Sequence, residues 1–269
     1  MAQSPDSKLP NGVSRILLRE DQGGVSTLTM NRPGVRNALS MELMNSLQSE
    51  LNAISSDASV KVLILKGAGP AFCSGHDLRE MRANPERALI EGVFQACSRL
   101  MMSISRLPQP VIAQVHGSAT AAGCQLVAAC DLAVCDNGAR FATPGVNIGL
   151  FCSTPMVALS RAVGRKAAME MLLTGAPIDA SRALQIGLVN RVVPAAQLSE
   201  TAHSLAELVA SKSSRVVAIG KEAFGRQIEM NFERAYSYAT DVMVRNMMMF
   251  DAEEGIDAFL QKRQPNWRE

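Results

Sequence analysis

The chain has 269 residues, of which 47% are hydrophobic, 19% are charged and 4% are aromatic. Its formal net charge is +2 and its basic residues are spread along the sequence, which argues against a nucleic-acid-binding protein or a membrane-surface protein but allows a small anionic ligand. The length suits one large domain with a helical appendage, and the scarcity of aromatic side chains predicts an aliphatic core.

The first third of the chain predicts strands that alternate with helices. Two β-rich runs, residues 13–19 and 25–30, are separated by the turn sequence EDQGG, which indicates a hairpin. Ser40 is the expected N-cap of a helix that ends near Ile54, because apolar residues recur on one helical face. Residues 60–65 then predict a buried strand.

The middle of the chain continues this alternation, and the last third is mostly helical. A helical segment broken near Asn84-Pro85 leads into a long helix at 86–105, and short strands at 110–115 and 132–134 flank a small-residue helix at 121–130. After Ser153 only residues 189–193 predict a strand. The predicted helices of this part are 165–173, 181–186, 198–210, 214–228, 232–250 and 251–262. This order favours an α/β layered architecture, and the loose pattern of the final helix predicts packing across a subunit boundary.

Two features predict the location of the protein. The first twelve residues have neither an apolar signal segment nor an Arg-rich amphipathic pattern, so we expect a short disordered arm. The six cysteines form no CxxC pair and no disulfide framework, which predicts reduced thiols and a cytoplasmic protein. They are Cys73, Cys97, Cys124, Cys130, Cys135 and Cys152.

Two glycine-containing turns are the strongest chemical signal from spacing. CSGHDLRE at 73–80 and HGSATAAGCQ at 116–125 each follow a predicted strand and lead into a helix, so each can present free N–H groups at a positive helix end. Two such ends that converge would form an anion or oxyanion site. The same order of elements also recurs in α/β proteins for structural reasons, and spacing alone leaves both interpretations open.

The second turn lies in a 24-residue stretch, 107–130, that contains no Asp, Glu, Lys or Arg. Its length would suit a membrane span, but prolines and polar residues interrupt it, so we interpret it as a buried core segment. Gln125 lies within this stretch. A carboxylate at that position could transfer protons, whereas a glutamine cannot.

A series of short motifs occurs in order along the chain. They include Asn31-Arg32-Pro33, Asn37-Ala38-Leu39, Ala71-Phe72-Cys73-Ser74-Gly75-His76-Asp77-Leu78, His116-Gly117, Gly123-Cys124-Gln125-Leu126, Phe141-Ala142-Thr143-Pro144 and Gly187-Leu188-Val189. In this order and spacing they resemble the enoyl-CoA hydratase/isomerase, or crotonase, superfamily over roughly residues 13–267. The stretch 149–155 departs from the usual hydratase sequence and is closer to the subgroup named enoyl-CoA hydratase domain-containing protein 3.

The resemblance implies an α/β fold, in which residues 13–200 form a spiral of ββα turns and residues 201–269 form a helical region that trimerises, often into hexamers. It also implies an acyl-coenzyme A thioester as ligand, with no metal and no separate cofactor. In this family two backbone N–H groups hold the thioester carbonyl, here by position those of His76 and Ala122. Such donors stabilise an enolate oxygen by about 3 to 4 kcal/mol each.

The resemblance places the two catalytic glutamates of the hydratases at Gln125 and Gly145, where neither is present. Hydration needs a base for the water and an acid at the α carbon, so we expect standard hydration to be weak. The side chains at other matching substrate-binding positions have structural alternatives: Asp77 is expected to bond loop backbone, and Arg36 and Lys262 fit solvated surface equally well. The full set of matching substrate-binding positions is Arg36, Ala38, Ser74, His76, Asp77, Leu78, Ala122, Phe250 and Lys262.

Two hypotheses about function stay open at this point. The first is an enzyme that stabilises the enolate of an acyl-coenzyme A, with isomerisation, atypical hydration or thioester hydrolysis as outcomes. The second is a non-catalytic acyl-coenzyme A-binding protein. We expect the His76 ring to pack against or bond the nucleotide-binding loop, with proton transfer as the alternative. Cys152 and Ser153 are disfavoured as nucleophiles because no general base is identifiable beside them.

Overall fold

The computed structural model describes residues 15–268. The predicted disordered arm, residues 1–12, lies outside the described residues, as do residues 13 and 14 of the first predicted strand. A six-stranded sheet forms the centre of the fold, and a three-stranded sheet lies beside it. In spatial order, the larger sheet contains β1 (Leu17–Gln22), β2 (Val25–Met30), β3 (Val62–Gly67), β4 (Val111–Val115), β6 (Leu132–Asp136) and β9 (Arg191–Val193).

The hairpin at the edge of the larger sheet confirms the predicted turn but not its limits. Residues 20–22, predicted as part of the turn, belong to β1, and Gln22 pairs directly with Val25. The turn itself is Gly23-Gly24, with φ values of +59° and +82°. Two consecutive positive φ angles match the twist of a hairpin and are adopted most readily by glycine. All other neighbours in the larger sheet are parallel.

The smaller sheet was not predicted from the sequence. It contains β5 (Ser118–Thr120), β7 (Arg140–Ala142) and β8 (Ile178–Asp179), which are too short to show an alternating pattern. Single β-bridges from Leu39 to His76 and from Cys73 to Ala119 extend the same layer. These bridges bring together three segments that are far apart in sequence.

The helices largely follow the predicted order, with two differences. Residues 155–162 form a helix that was not predicted, and the predicted helix at 232–250 ends at Met247, so that the last helix begins at Phe250. The helices are α1 (Met41–Ser55), α2 (Leu78–Ala83), α3 (Arg87–Arg106), α4 (Ala122–Ala129), α5 (Pro155–Ala162), α6 (Arg165–Thr174), α7 (Ala180–Gln185), α8 (Leu198–Ala210), α9 (Ser214–Gln227), α10 (Phe232–Met247) and α11 (Phe250–Leu260).

The central strands of the larger sheet are buried on both faces. Successive side chains of a strand point to opposite sides, so each face packs against different helices. On one face, side chains such as Leu63 and Leu65 pack into the main core with α1, α3 and α4. On the other face, Val62 and Ile64 pack with Leu205 and other apolar residues of α8. The predicted start of the helical region at residue 201 lies inside α8, a helix that packs on the sheet. The division into a spiral core at 13–200 and a helical region at 201–269 stays a prediction.

The part of the chain that the structure describes has no candidate membrane-spanning helix and no candidate metal-binding group of side chains. None of the helices within residues 15–268 is both long and apolar enough to cross a membrane. Within the same residues, no group of three or more His, Cys, Asp or Glu side chains is arranged to hold a metal ion.

Candidate active site

The structure brings the two glycine-containing turns into direct contact. The Thr120 N–H donates to the Cys73 carbonyl at 2.9 Å, and the Thr120 hydroxyl donates to the Ser74 carbonyl at 3.0 Å. A Cβ atom on Gly123 would lie 2.1 Å from the Cys73 oxygen, so only glycine permits this approach. The two segments singled out by spacing therefore form one continuous site.

The N–H groups of His76 and Ala122, one in each turn, have no acceptor among residues 15–268. The neighbouring amides are engaged, because Asp77 N–H donates to Leu39 and Ala121 N–H donates to Ala142. Neither the His76 N–H nor the Ala122 N–H donates a hydrogen bond to any residue that the structure describes. Ala122 is the first residue of α4, where an N–H has no partner inside the helix. Both amides are therefore free of hydrogen bonds to the residues that the structure describes.

Unusual backbone angles hold these two amides in place. Ala121 adopts φ +50° and ψ −116°, a conformation that costs an L-residue about 1–3 kcal/mol. Gly75 has φ +94°, and a Cβ atom on it would lie 2.9 Å from the Ala121 Cβ. Each turn thus limits the size of the side chains that fit in the other turn. Strained backbone of this kind persists only where the surrounding structure enforces it.

Asn37 fixes the loop that precedes the first turn. It is completely buried, and its Nδ2 donates to the carbonyls of Ala68, Ala71 and Phe72 at 2.9, 2.8 and 3.2 Å. Its Oδ1 accepts from the Arg32 N–H at 2.9 Å. Asn37 also has φ +55°, which asparagine tolerates better than most residues. The Asn37 side chain therefore connects three parts of the chain that surround the site.

We expect Asn37→Ala to lower the free energy of unfolding by about 3 kcal/mol or more, because each buried group left without a partner costs about 1–3 kcal/mol. Urea denaturation followed by circular dichroism measures this change. Asn52→Ala is the matched control: Asn52 is exposed on α1 and contacts only Gln48, so we expect a change within about 0.5 kcal/mol. Equal effects of the two substitutions would contradict the role of Asn37.

Asp77 is engaged in structural contacts. Its carboxylate pairs with the Arg32 guanidinium at 3.0 Å and accepts from the Glu80 N–H at the start of α2. Burial alone would raise the pKa of Asp77, but the hydrogen bonds from Arg32 and the α2 backbone outweigh it and lower the pKa. Arg32 also donates to the Ala38 carbonyl. Asp77 is thus a helix cap and an ion-pair partner, without a free carboxylate for proton transfer.

The remaining predicted binding residues lie in two groups. Ser74 is part of the first turn: its carbonyl accepts from the Thr120 hydroxyl of the second turn, and its N–H donates to the carbonyl of Arg36. Leu78 begins α2 and is half exposed. Phe250 begins α11, where its ring lies 3.4 Å below the Arg268 guanidinium. In residues 15–268, no hydrogen bond, ion pair or ring contact joins Phe250 or Lys262 to the two turns. In a single chain, Ser74 and Leu78 therefore lie at the two turns, whereas Phe250 and Lys262 do not.

The His76 ring packs on α3. Its centroid lies 5.2 Å from that of Phe94, with the rings at 79° to each other. The Nε2 atom is buried without a hydrogen bond, and Nδ1 has no partner among residues 15–268. Burial lowers the pKa of His76 to about 4, so the ring is neutral at pH 7. Contact of the ring with the nucleotide-binding loop, by packing or by a hydrogen bond, stays a prediction.

Gln125 lies in a neutral environment on the same side of α3. Its side chain is 4% exposed, and its Oε1 accepts from the Cys97 thiol at a distance of 3.9 Å. Burial raises the pKa of Cys73, Cys97 and Cys124 to about 12, so these thiols carry no charge at pH 7. Phe94 and Cys97 were missed by sequence reasoning, because an apolar pair at helical spacing predicts only core packing.

The space beside Gly145 is already filled. A Cβ atom there would lie 2.5 Å from the Leu150 carbonyl oxygen and 2.9 Å from the Cys152 sulfur. The Leu150 N–H donates to the Gly145 carbonyl at 2.9 Å, which holds this loop in position. Burial raises the pKa of Cys152, against the lowering effect of a hydrogen bond from the Gly145 amide. The loop thus excludes any side chain at position 145.

Comparisons with known proteins agree with this fold. The enoyl-CoA hydratase/isomerase family profile matches residues 20–269. Enoyl-CoA hydratase domain-containing protein 3 of Rattus norvegicus is 48% identical over 267 residues, which cover 98% of this chain and 89% of that protein. A crystal structure of an enoyl-CoA hydratase from Mycobacterium smegmatis has a TM-score of 0.92 at 51% identity, covering 94% of this chain and 99% of the other. The crystal structure of the human domain-containing protein 3 has a TM-score of 0.91 at 48% identity, covering 94% and 100%.

The prediction of a cytoplasmic location is wrong. The relative from Rattus norvegicus is named a mitochondrial protein, as are relatives from Mus musculus, Danio rerio and Homo sapiens. The prediction relied on unpaired cysteines, and reduced thiols do not distinguish one reducing compartment from another.

The predicted crotonase-like α/β fold and the resemblance to the domain-containing protein 3 subgroup are confirmed by these matches. Trimerisation stays a prediction. The family profile matches nearly the whole chain, and about half of the aligned residues are identical in the relatives named above. The chain belongs to the enoyl-CoA hydratase/isomerase family.

Proposed function

We propose that this protein binds an acyl-coenzyme A thioester and stabilises its enolate with the N–H groups of His76 and Ala122. The observation that carries the proposal is the pair of amides without acceptors, in two turns that hydrogen bonds hold together. An oxygen bound between them would gain negative charge as the enolate forms. Donors fixed before the reaction stabilise this charge without having to reorganise.

The neutrality of the surrounding side chains supports the same proposal. The His76 ring, the Gln125 amide and the Cys97 thiol carry no charge at pH 7. In a site of low dielectric constant, two oriented N–H dipoles act more strongly on an oxyanion than they would in water. The substrate thioester provides the coenzyme A moiety, so the proposal includes no separate cofactor.

Standard hydration of enoyl-coenzyme A should be weak. Gln125 cannot accept a proton from water, position 145 has no room for a carboxylate, and Asp77 is paired with Arg32. The lack of a free carboxylate also favours a second candidate function, in which the protein binds acyl-coenzyme A without catalysis. The two candidates share the same thioester-binding site and differ in whether a proton moves.

Crotonyl-coenzyme A tests the proposal. We expect calorimetric titration to detect binding, and the absorbance of the conjugated thioester to show little or no hydration. Failure to bind would contradict the proposed site, and rapid hydration would contradict the argument from the missing carboxylates. Isomerisation of a β,γ-enoyl-coenzyme A, or release of free coenzyme A thiol, would favour the enzyme over the binder.

The titrated protein should be a trimer or a hexamer, assembled through the helices after α8. Large apolar side chains on these helices and in the turn between α10 and α11 are exposed in the single chain: Phe224, Phe232, Met248 and Phe259 are between 64% and 83% exposed. An exposed apolar surface of this kind is typical of a protein–protein interface. Sedimentation of the same preparation measures the mass of the assembly, and a monomer would contradict the proposal.

A further inference from the structure

We propose that the His76 imidazole removes and returns the α proton of the bound thioester. This inference rests on the proposed function and assigns to the ring of His76 a role separate from that of its backbone amide. It selects the enzyme over the non-catalytic binder. Three features of the site support this role: the ring nitrogens without hydrogen-bond partners, the position of the ring, and the protonation and pairing of the neighbouring side chains.

The hydrogen bonds of the ring are the first observation. A neutral imidazole has one N–H donor and one nitrogen that accepts. Within residues 15–268, neither nitrogen of His76 has a hydrogen-bond partner. Nε2 is fully buried, which leaves Nδ1 as the nitrogen that a ligand can reach. Buried polar groups without a partner are rare in folded proteins and are often associated with function. The edge-on contact with Phe94 holds the ring, so its two nitrogens keep defined directions.

The position of the ring is the second observation. The His76 N–H binds the thioester oxygen in the proposed complex, at about 3 Å. The α carbon of the acyl group is two bonds from that oxygen, and the imidazole begins three bonds from the same backbone nitrogen. The ring therefore belongs to the residue that holds the reacting carbonyl. The proposed complex places the α carbon beside this ring.

The neighbouring groups give the third observation, because none of them is suited to accept a proton. Asp77 is paired with Arg32, and Gln125 carries an amide. Burial raises the pKa of the thiols of Cys97 and Cys124, which therefore stay protonated. His76 in its neutral form carries a free lone pair. Among these five side chains, His76 is the one suited to act as a base.

The proposed step is balanced without a co-reactant. The C–H bond at the α carbon breaks, a ring N–H bond forms, and the electron pair moves into the enolate, whose oxygen the His76 and Ala122 amides hold. The reverse transfer returns a proton to the same carbon. Burial keeps the ring neutral before the reaction, and the negative enolate beside it then stabilises the imidazolium.

Deuterium exchange into butyryl-coenzyme A tests this step, since a saturated acyl group cannot be hydrated. In D₂O the wild-type protein should replace the α hydrogens with deuterium, measured as a mass increase of the thioester above a protein-free control. We expect His76→Ala to slow this exchange by about 100-fold or more, which is typical of the loss of a general base. Binding of butyryl-coenzyme A should change only a few fold, because the backbone N–H remains.

Three further samples make the result specific to the ring. Free imidazole should restore part of the exchange in His76→Ala, because it can occupy the vacated space. His76→Gln keeps a polar side chain of similar size and should also lose exchange, which covers the case that the alanine variant does not fold. His203→Ala, on α8, is the matched control and should exchange at the wild-type rate.

The outcomes separate this inference from the proposed function. Butyryl-coenzyme A that fails to bind the wild-type protein would contradict the proposed function itself. Binding without exchange would leave the thioester site in place and overturn the role of the ring. Exchange that persists in both His76 variants, or a loss that imidazole does not restore, would also overturn it.

Discussion

Gly123→Ala is expected to destabilise the protein by several kcal/mol and to abolish detectable binding of crotonyl-coenzyme A. The added Cβ would lie 2.1 Å from the Cys73 carbonyl oxygen and 2.9 Å from the Cys73 Cβ. Both turns must then separate, although the Thr120 N–H bond to the same carbonyl holds them together. Overpacking in a core typically costs about 1–3 kcal/mol, and a backbone clash of this size exceeds that range.

Loss of function should exceed what the change in stability explains. Separation of the turns moves the Ala122 N–H away from the His76 N–H, and removal of one oxyanion donor typically lowers the rate by about 10²–10³-fold. Urea denaturation and calorimetric titration measure the two effects separately. Gly220→Ala is the control, because a Cβ there meets nothing within 4 Å and alanine favours a helix by about 0.5–1 kcal/mol. A Gly123→Ala protein that binds and unfolds like the control would refute the proposed arrangement.

Gly145→Glu should fail to create hydration activity, alone or combined with Gln125→Glu. The carboxylate cannot enter the site, because the first side-chain atom would already lie 2.5 Å from the Leu150 carbonyl oxygen. The loop must move, and the Leu150 N–H bond to the Gly145 carbonyl would be strained or lost. We expect a loss of several kcal/mol in unfolding free energy, together with the hydration rate of the wild type.

The control for this prediction is Gly164→Glu, at the exposed start of α6, where a Cβ meets nothing within 4 Å. That variant should unfold close to the wild type. Hydration of crotonyl-coenzyme A by the double variant, at a rate well above that of the wild type, would show that the loop yields. In that case the missing carboxylates alone would explain weak hydration, and the filled space beside Gly145 would have no role in it.

Local signals predicted the longer elements well. Ser40 caps α1 by accepting from the Leu43 N–H, and α8 has the predicted limits, because capping and helical periodicity are written in consecutive residues. The short strands β5, β7 and β8 have two or three residues each, which is too few to show a period. Helix α5 begins at a proline after an irregular loop and has few buried residues, so its pattern is weak.

The sequence indicated what several site residues are able to do chemically. It did not indicate their protonation states or their hydrogen-bond partners. Glycine at 75 and 123 indicated close turns, and glutamine at 125 indicated a position without a carboxylate, because these properties belong to the residues themselves. Asp77 is paired with Arg32 and His76 packs on Phe94, and both contacts join residues that are distant in sequence. The Leu150–Cys152 loop that closes position 145 is near in sequence, but it is irregular and has no pattern that predicts its path.

The sequence by itself determined the order of strands and helices, the turns that need glycine and the absence of carboxylates at two positions, since backbone preference and side-chain chemistry are local properties. Only the tertiary structure decided which amides remain without acceptors and which ionisable groups are buried or paired. Hydrogen-bond partners, desolvation and excluded volume arise from contacts between remote segments, and these contacts exist only once the chain has folded.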